Sequence, residues 1–199
     1  MTFHILFVCT GNVCRSPAAE RLLRRDLDRV GGGIAGLSGV DVSSAGTGAL
    51  VGDPISPPMA ALMEQVGADA SGFAARQLTP SLVRSADLII TMTSAHRRET
   101  VTMLPAAVQR TFVLGELAHM LDGVDRGEIA EAGGASGATS ERIRAAMTIA
   151  KRHRTPGVDP AEDIVDPYGR SNSVYSTSFA QIQAALEPVL RIVARDIPR

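Results

Sequence analysis

The segment from Cys9 to Ser16, with the sequence Cys-Thr-Gly-Asn-Val-Cys-Arg-Ser, constrains the fold of this chain more than any other feature. This segment, called the cysteine loop below, follows the apolar residues Ile5–Val8, which are typical of a buried parallel strand. It precedes Pro17, which suits the first turn of a helix that Ser16 would cap. The order therefore predicts a strand over Phe3–Val8, a tight loop and then a helix.

A cysteine begins this loop and an arginine stands near its end, with five residues between them. A tight loop of this shape turns backbone N–H groups inward toward an anion, and the helix N-terminus adds its positive dipole. That field would favour the thiolate of Cys9, while the planar guanidinium of Arg15 can bind two phosphate oxygens. These features predict an enzyme whose thiolate attacks a phosphoryl group held by Thr10, Gly11, Asn12, Val13, Cys14, Arg15 and Ser16. The alternative, a small buried Cys9 with a surface arginine, is disfavoured by the strand–loop–helix context.

Apolar and amphipathic segments alternate along the rest of the chain. Strands are predicted over Val40–Ser44, Ala86–Met92 and Arg110–Leu114, and helices over Pro54–Val66, Pro80–Ser85, Ser94–Leu104 and Ser140–His153. The first helix is expected to end at Gly31–Gly33. A last helix is predicted from the apolar stripe Tyr175, Phe179, Ile182, Leu186, Val189 and Val193, with Pro188 kinking or ending it. Strands that alternate with helices indicate an α/β fold built on a parallel sheet.

The composition narrows the class of protein and its partners. The 199 residues are enough for one domain, and a net charge of −1 gives no electrostatic case for binding nucleic acid or a membrane surface. No apolar stretch approaches the ~20 residues of a membrane span, and no signal peptide is expected. Two cysteines in one loop do not make a disulfide framework, so a reducing cytoplasm is the expected location. The histidines, His4, His96, His119 and His153, show no metal-ligand spacing and are expected to have structural roles.

A nucleophile that displaces an alkoxide or a phenoxide needs an acid to protonate the leaving oxygen. The best candidate is Asp166, in the segment Asp-Pro-Tyr-Gly, where proline and glycine form a rigid turn before the last helix. Tyr168 would supply an aromatic wall for a planar substrate. An aspartate before a proline also starts ordinary turns, and Asp159 and Asp163 are rival acids that periodicity does not exclude.

The segment Val8–Pro17 resembles the phosphate loop of the low-molecular-weight protein tyrosine phosphatases. The later Asp166-Pro167-Tyr168 is similar to the general-acid loop of that family, and Ser44–Thr47 and Ala75-Arg76 are similar to further landmarks in the same order. In classical tyrosine phosphatases, by contrast, the cysteine follows a histidine and lies well into the domain. The resemblance covers most of the chain. It implies a three-layer sandwich in which a four-stranded parallel sheet has helices on both faces, with no metal and no other cofactor.

The resemblance also implies a role for each matching residue. Cys9 would attack phosphorus and become a phosphocysteine, and Arg15 with the loop amides would stabilise the transition state. Ser16 would hydrogen-bond the thiolate, and Asp166 would protonate the leaving oxygen and later take a proton from water. The residues that would hold the loop in shape are Asn12, Ser16 and Ser44.

Two further loop positions concern regulation and specificity. In this family a cysteine at the position of Cys14 forms a reversible disulfide with the nucleophile under oxidation; the alternative is a buried residue without a redox role. A branched aliphatic residue at the position of Val13 accompanies phosphotyrosine activity in similar proteins, and threonine accompanies phosphoarginine activity. Val13 therefore favours phosphotyrosine.

The chain departs from the family pattern in two places. Met92-Thr93 stands where Met-Asp is usual, so no role is transferred to Thr93. The segment 123–157 is expected to be a loop and helix insertion within a single phosphatase domain of residues 1–199. It would shape access to the site, bind a partner or be a tolerated loop.

Taken together, these residues predict hydrolysis of phosphotyrosine in a protein substrate, in opposition to a bacterial tyrosine kinase. The same fold also supports protein-arginine dephosphorylation and arsenate reduction; the latter would depend on a small external thiol, because no cysteine follows Cys14. A phosphoprotein-binding module without turnover is a further class, but such a module has no use for an acid such as Asp166.

Overall fold

The computed structural model describes residues 2–30, 39–132, 139–153 and 162–193, and its strands form one parallel sheet. The strands are β1 Phe3–Cys9, β2 Val40–Gly46, β3 Leu88–Thr91 and β4 Thr111–Val113, in the spatial order β2-β1-β3-β4. β1 pairs along its whole length with β2, and its residues 5 to 8 pair with β3. β1 is therefore a central strand, and all but one of its side chains are buried.

Helices connect the strands and follow the last of them. The described helices are α1 Arg15–Val30, α2 Pro57–Gln65, α3 Pro80–Ser85, α4 Ser94–Met103, α5 Leu114–Asp122, α6 Arg126–Glu131, α7 Thr139–Ala150 and α8 Asn172–Val193. Short 3₁₀ helices cover Pro105–Arg110 and Lys151–His153. The prediction of an α/β fold with a four-stranded parallel sheet is confirmed.

Apolar cores lie on both faces of the sheet because successive side chains of a strand point in opposite directions. Ile5 and Phe7 belong to a large buried cluster that includes residues of α1, α5 and α8. Leu6 and Val8 belong to a smaller buried cluster that includes Val83 of α3. Helices thus cover both faces, and the three-layer arrangement is as predicted.

The strand order determines which edge of the sheet can bind a ligand. β2 lies on one side of β1 and β3 lies on the other, so the chain changes direction across the sheet at β1. In open parallel sheets, ligands bind beyond the carboxyl ends of the strands at such a point. Cys9 is the last residue of β1, so the cysteine loop begins at this position.

Several element boundaries differ from the sequence prediction, most of them by one to three residues. α2 begins at Pro57, three residues later than predicted, because a residue that precedes a proline, such as Ser56, avoids the helical region. The strand predicted over Arg110–Leu114 ends at Val113, where α5 begins with no turn between them. The expectation that Pro188 could end the last helix is wrong, since this residue lies inside α8.

The described part of the segment 123–157 consists of α6, α7 and the 3₁₀ turn after α7. α7 packs against α5 and α8. Its Arg144 forms an ion pair with Asp87, at 2.8 Å, just before β3, and its guanidinium carbon lies 4.9 Å from the ring centroid of Phe3, at the start of β1. α7 therefore lies near the amino-terminal ends of the strands, at the opposite end of the sheet from the cysteine loop.

Several expectations concern residues outside the described ranges: the end of the first helix at Gly31–Gly33, residues 133–138 and 154–157 of the expected insertion, the acid Asp159 and the side chain of Val193. Among the residues that are described, no helix is long and apolar enough to cross a membrane. The same residues contain no cluster of three or more His, Cys, Asp or Glu side chains that could hold a metal ion.

Candidate active site

The cysteine loop is held through its carbonyl oxygens by a neighbouring loop, residues 47–56. The backbone N–H groups of Thr47, Gly48, Leu50 and Ser56 donate to the carbonyls of Cys9, Thr10, Gly11 and Val13 at 2.9, 3.1, 3.0 and 2.8 Å. Because these carbonyls are bonded to the neighbouring loop, we expect the N–H groups of the cysteine loop to face its centre. Successive N–H groups in such a concave turn form a binding site for an anion.

Gly46 permits the close approach of the cysteine loop to the end of β2. A Cβ atom at this position would lie 2.2 Å from the Thr10 carbonyl oxygen and 3.0 Å from the Asn12 nitrogen. Because these are backbone atoms, we expect Gly46→Ala to lower the free energy of unfolding by roughly 1–3 kcal/mol, measured by chemical denaturation. Gly48→Ala is the control, since a Cβ there meets only Thr10 Cγ2, at 3.9 Å. An equal loss in the two variants would contradict this steric account.

Asn12 has a positive φ of 56°, which is uncommon for a residue other than glycine. Its side chain compensates with three hydrogen bonds. Nδ2 donates to Ser16 Oγ and to Ser44 Oγ, both at 2.9 Å, and Oδ1 accepts from the Arg76 N–H at 2.8 Å. Arg76 Nε in turn donates to the Ser44 carbonyl at 2.7 Å. The structure thus brings the predicted supporting residues together around one buried amide.

Cys9 Sγ lies 3.0 Å from Ser16 Oγ, and both side chains are buried. Because Asn12 donates to Ser16 Oγ, the hydroxyl hydrogen of Ser16 remains available to the sulfur; the Ala45 carbonyl is a more distant acceptor, at 3.5 Å. The expectation that Ser16 caps α1 is wrong, since the helix begins at Arg15 and the hydroxyl is used beside the cysteine. A hydroxyl donor at this position can stabilise negative charge on sulfur.

The Arg15 side chain is buried and links the cysteine loop to the segment before α8. Its Nη2 lies 2.9 Å from Asp166 Oδ2, and its Nη1 donates to the Ile164 carbonyl at 3.3 Å. Its Nε is also buried and has no hydrogen-bond partner in the described part of the chain. Buried polar groups are rarely left unpaired, so this nitrogen is available to an oxygen of a bound anion.

Asp166 stands at the mouth of the site with its carboxylate 53% exposed. Its Oδ1 accepts from the Tyr168 N–H at 3.2 Å, and Gly169 has a positive φ of 70°, so the segment forms the predicted turn. Asp166 is therefore close to Arg15 and still accessible to a substrate.

Asp163, the described rival acid, has a different position. Its carboxylate accepts from Ser94 N–H at 2.7 Å and from Ser94 Oγ at 3.3 Å, at the N-terminus of α4. The following Ile164 N–H donates to the Met92 carbonyl at 2.9 Å. Asp163 therefore anchors the segment on which Asp166 is carried, and it does not line the pocket.

These groups surround a pocket with a volume of about 170 Å³. Its lining comes from the cysteine loop, the neighbouring loop and the segment before α8: Cys9, Thr10, Gly11, Val13, Cys14, Arg15, Gly48, Leu50, Asp166 and Tyr168. Tyr168 is 58% exposed, and Leu50, which the sequence did not indicate, adds an apolar side chain. One pocket thus combines a thiol, a guanidinium, a carboxylate and an aromatic ring.

Cys14 and Cys9 are both free thiols, and both are buried. Cys14 Sγ lies 3.1 Å from Ser56 Oγ and donates to the Tyr175 hydroxyl oxygen at 3.8 Å. Burial raises the pKa of the Cys14 thiol above its ordinary value, so this thiol is protonated near neutral pH. Cys14 is therefore not suited to be the nucleophile.

Glu20 is a buried member of the site that the sequence analysis did not select. It accepts a hydrogen bond from the Ser44 hydroxyl at 2.6 Å and lies 3.4 Å from Arg24 Nη2. Through Ser44 it supports the hydrogen bonds of Asn12. The signal in the sequence was that Glu20 lies on the apolar face of α1, together with Ala19 and Leu23. A buried charge on such a face requires a polar partner.

His96 also reaches the site, although the sequence indicated only a structural role. Its Nε2 lies 2.8 Å from Thr10 Oγ1, on the cysteine loop. Burial, with a smaller effect from the positive Arg15, lowers the pKa of His96 to about 4, so the imidazole is neutral above that pH. The contact joins positions that are distant in the sequence, which is why no local pattern predicts it.

Comparison with known proteins identifies a matching family. A sequence model of the family "Low molecular weight phosphotyrosine protein phosphatase" matches residues 4–147. The chain is 46% identical over 113 residues to the probable low molecular weight protein-tyrosine-phosphatase EpsP of Ralstonia solanacearum, a match that covers 57% of this chain and 71% of that protein.

Two solved structures have the same fold. The low molecular weight protein tyrosine phosphatase of T. tengcongensis gives a TM-score of 0.67 at 24% identity, covering 94% of this chain and 97% of that one. The YwlE arginine phosphatase of Geobacillus stearothermophilus gives a TM-score of 0.62 at 26% identity, covering 94% of this chain and 90% of that one.

The parallel sheet carries a pocket at its carboxyl edge, and the cysteine loop lines this pocket. Since the family model spans well over half of its residues, the chain belongs to the low molecular weight phosphotyrosine protein phosphatase family and is a phosphatase. The predicted family and enzyme class are confirmed.

Proposed function

We propose that this chain hydrolyses phosphate monoesters through a covalent phosphocysteine formed on Cys9. The observation that supports the proposal is that Cys9, Arg15 and Asp166 line one pocket. Arg15 Nε is in addition buried with no hydrogen-bond partner in the described part of the chain. The loop N–H groups and the guanidinium are held in place before a substrate arrives. They can therefore stabilise the charge of the transition state without reorganisation.

In the first step the Cys9 thiolate attacks phosphorus, and the P–S bond forms as the bond to the leaving oxygen breaks. The phosphoryl oxygens bind the loop N–H groups and Arg15. These oxygens take the place of Asp166 beside the guanidinium. Asp166, acting as the neutral acid, gives its proton to the leaving oxygen, which departs as an alcohol or a phenol.

In the second step water attacks the phosphocysteine, and the P–O bond forms as the P–S bond breaks. Asp166, now ionised, takes a proton from the attacking water. Ser16, whose hydroxyl lies 3.0 Å from Cys9 Sγ, donates to the sulfur as the thiolate leaves. The products are inorganic phosphate and the original thiolate.

Phosphotyrosine in a protein is the proposed substrate. Tyr168 and Leu50 give the pocket an aromatic and an apolar wall for a phenyl ring, and Val13 offers no hydroxyl to a phosphoguanidinium group. EpsP is named a protein-tyrosine-phosphatase, which supports the same choice. The proposed partner is a phosphotyrosine protein, such as a bacterial tyrosine kinase, and the proposed location is the cytoplasm.

Phosphoarginine is the second candidate, because YwlE is named an arginine phosphatase and the exposed Asp166 carboxylate could accept from a guanidinium. The test compares a phosphotyrosine peptide, a phosphoarginine peptide of the same sequence, and arsenate with glutathione, all without metal. We expect kcat/KM for phosphotyrosine to be higher by about tenfold or more. A preference for phosphoarginine or for arsenate would overturn the substrate choice, and phosphate binding without any turnover would indicate a binding module.

We also propose that Cys14 protects Cys9 from irreversible oxidation. Peroxide would convert the Cys9 thiolate to a sulfenic acid. Cys14 would lose its proton and attack that sulfur, and the displaced hydroxide would take up a proton and leave as water, so that a disulfide forms. A dithiol reductant would then reopen the disulfide by exchange and restore both thiols. Both cysteines lie in the same loop and line the same pocket, which supports this pairing.

Cys14→Ser is therefore expected to lose recovery from oxidation. After hydrogen peroxide and then dithiothreitol, the wild type should regain most of its own initial activity, whereas the variant should regain little. Turnover of p-nitrophenyl phosphate before and after treatment measures this difference. The control is oxidation in the presence of inorganic phosphate. An anion bound in the pocket should shield Cys9 from peroxide, so both the wild type and the variant should keep their activity. Equal recovery of the two proteins would contradict the proposed role.

The segment 123–157 is proposed as an insertion within a single domain of residues 1–199. The apolar side chains of α7, among them Ile143 and Ile149, are buried, and Arg144 binds Asp87 at the far end of the sheet. These contacts of α7 indicate that the segment covers the apolar core, and they do not favour a role in substrate access.

A further inference from the structure

A chain of hydrogen bonds runs from α4 to the pocket and has no part in the mechanism above. His96, which is 5% exposed, lies between two threonines: its Nδ1 is 2.8 Å from Thr93 Oγ1, and its Nε2 is 2.8 Å from Thr10 Oγ1. Thr10 is itself exposed and lines the pocket. This series of hydrogen bonds therefore ends at the place in the pocket where a phosphoryl group would bind.

The direction of these hydrogen bonds is set by the tautomer of His96, and the contacts of Thr93 fit the tautomer that has its hydrogen on Nε2. Thr93 Oγ1 accepts from the backbone N–H of His96 at 3.3 Å, so its own hydrogen can be donated to His96 Nδ1. A neutral imidazole that accepts at Nδ1 has its hydrogen on Nε2 and donates it to Thr10 Oγ1. The Thr10 oxygen is then an acceptor toward His96, and its own hydrogen is free to point into the pocket.

The backbone around Thr10 does not need His96 to hold it. The Thr10 carbonyl already accepts from Gly48 N–H at 3.1 Å, and the Cys9 carbonyl already accepts from Thr47 N–H at 2.9 Å. A contact that only supported the loop would duplicate these bonds. The imidazole instead engages the side-chain hydroxyl of Thr10, a residue that lines the pocket.

We propose that the Thr10 hydroxyl donates a hydrogen bond to a phosphoryl oxygen of the substrate and that His96 is the positioning residue that directs this hydroxyl. The inference rests on the proposed phosphatase function and adds a side-chain donor to the loop N–H groups and Arg15. A hydrogen bond to an anionic oxygen is stronger than one between neutral groups, so its loss should be measurable in both binding and turnover.

The test uses two pairs of variants in the full chain. Thr10→Val removes the hydroxyl and keeps the shape, whereas Thr10→Ser keeps the hydroxyl. His96→Leu removes the donor, whereas His96→Gln can place an amide N–H near the position of Nε2. For each variant, calorimetry gives the Kd of inorganic phosphate, and steady-state kinetics give kcat and KM for p-nitrophenyl phosphate.

We expect Thr10→Val and His96→Leu each to weaken phosphate binding and to lower kcat/KM by about tenfold, the usual effect of losing one hydrogen bond to a charged group. Thr10→Ser and His96→Gln should recover most of this loss. Because His96 acts through Thr10, the double variant Thr10→Val/His96→Leu should lose no more than the larger single loss.

Three results would overturn the inference: wild-type phosphate affinity in Thr10→Val, equal losses in His96→Gln and His96→Leu, or fully additive losses in the double variant. A different result would show that the proposed phosphatase function itself is wrong. A wild-type chain that binds phosphate but does not turn over p-nitrophenyl phosphate would overturn the phosphatase proposal, and the Thr10 and His96 contrasts could still be measured in phosphate binding.

Discussion

Cys9→Ser is expected to lose turnover of p-nitrophenyl phosphate by a factor on the order of 10⁶ while it still binds inorganic phosphate. A serine hydroxyl is not ionised near neutral pH, so no nucleophile remains. The groups that would hold the anion, namely the loop N–H groups and Arg15, are unchanged by the substitution. Steady-state kinetics with a reductant present measure the loss, and calorimetry with phosphate measures the binding.

The matched control for this prediction is Cys14→Ser, the same substitution in the same loop. Its turnover with reductant present should fall far less, because the thiol of Cys14 is bonded toward Ser56 and Tyr175. Comparable turnover in Cys9→Ser and the wild type would show that the nucleophile lies elsewhere. Loss of phosphate binding together with turnover would show that Cys9 supports the loop rather than the chemistry.

Asp166→Asn is expected to slow hydrolysis in a way that depends on the leaving group. An amide has no acidic proton to give, so the reaction of phenyl phosphate, whose leaving group is poor, should slow by about 10²–10⁴-fold. Formation of the phosphoenzyme from p-nitrophenyl phosphate should slow far less, because p-nitrophenolate departs without a proton. Pre-steady-state kinetics with both substrates measure the contrast.

Asp163→Asn is the control for the acid, three residues upstream with the same change of side chain. The substituted side chain would still have an amide oxygen to accept from Ser94, so the anchor of the segment is largely kept. This variant should keep the wild-type dependence on the leaving group. If Asp166→Asn slows both substrates equally, or if Asp163→Asn shows the steeper dependence, Asp166 is not the general acid.

The sequence predicted those parts of the site that lie within one local segment. Cys9, Arg15 and Ser16 are close in the chain, and a strand before them with a helix after them leaves few conformations for the loop. The parallel sheet was likewise predictable in outline, since alternating strands and helices favour it. The family resemblance supplied Asp166, which spacing alone could not separate from Asp163.

The contacts that were missed join residues far apart in the chain. His96 and Thr10 are 86 positions apart, and only the placement of α4 beside the carboxyl end of β1 brings them together. Helix α5 was missed for a different reason: Leu114 is apolar and continues the pattern of β4, and α5 follows with no turn between them. The signal in the sequence was Glu116, whose carboxylate accepts from the Val113 N–H at the start of the helix.

Capture of the phosphoenzyme is the most direct test that the phosphoryl group passes through Cys9. Asp166→Asn lacks the base for the second step, so with p-nitrophenyl phosphate the intermediate should accumulate. The account predicts a burst of p-nitrophenolate close to one equivalent per enzyme, with mass spectrometry of the quenched protein placing the phosphate on Cys9. A wild type that turns over while the variant shows no burst, or a phosphate found on another residue, would contradict it.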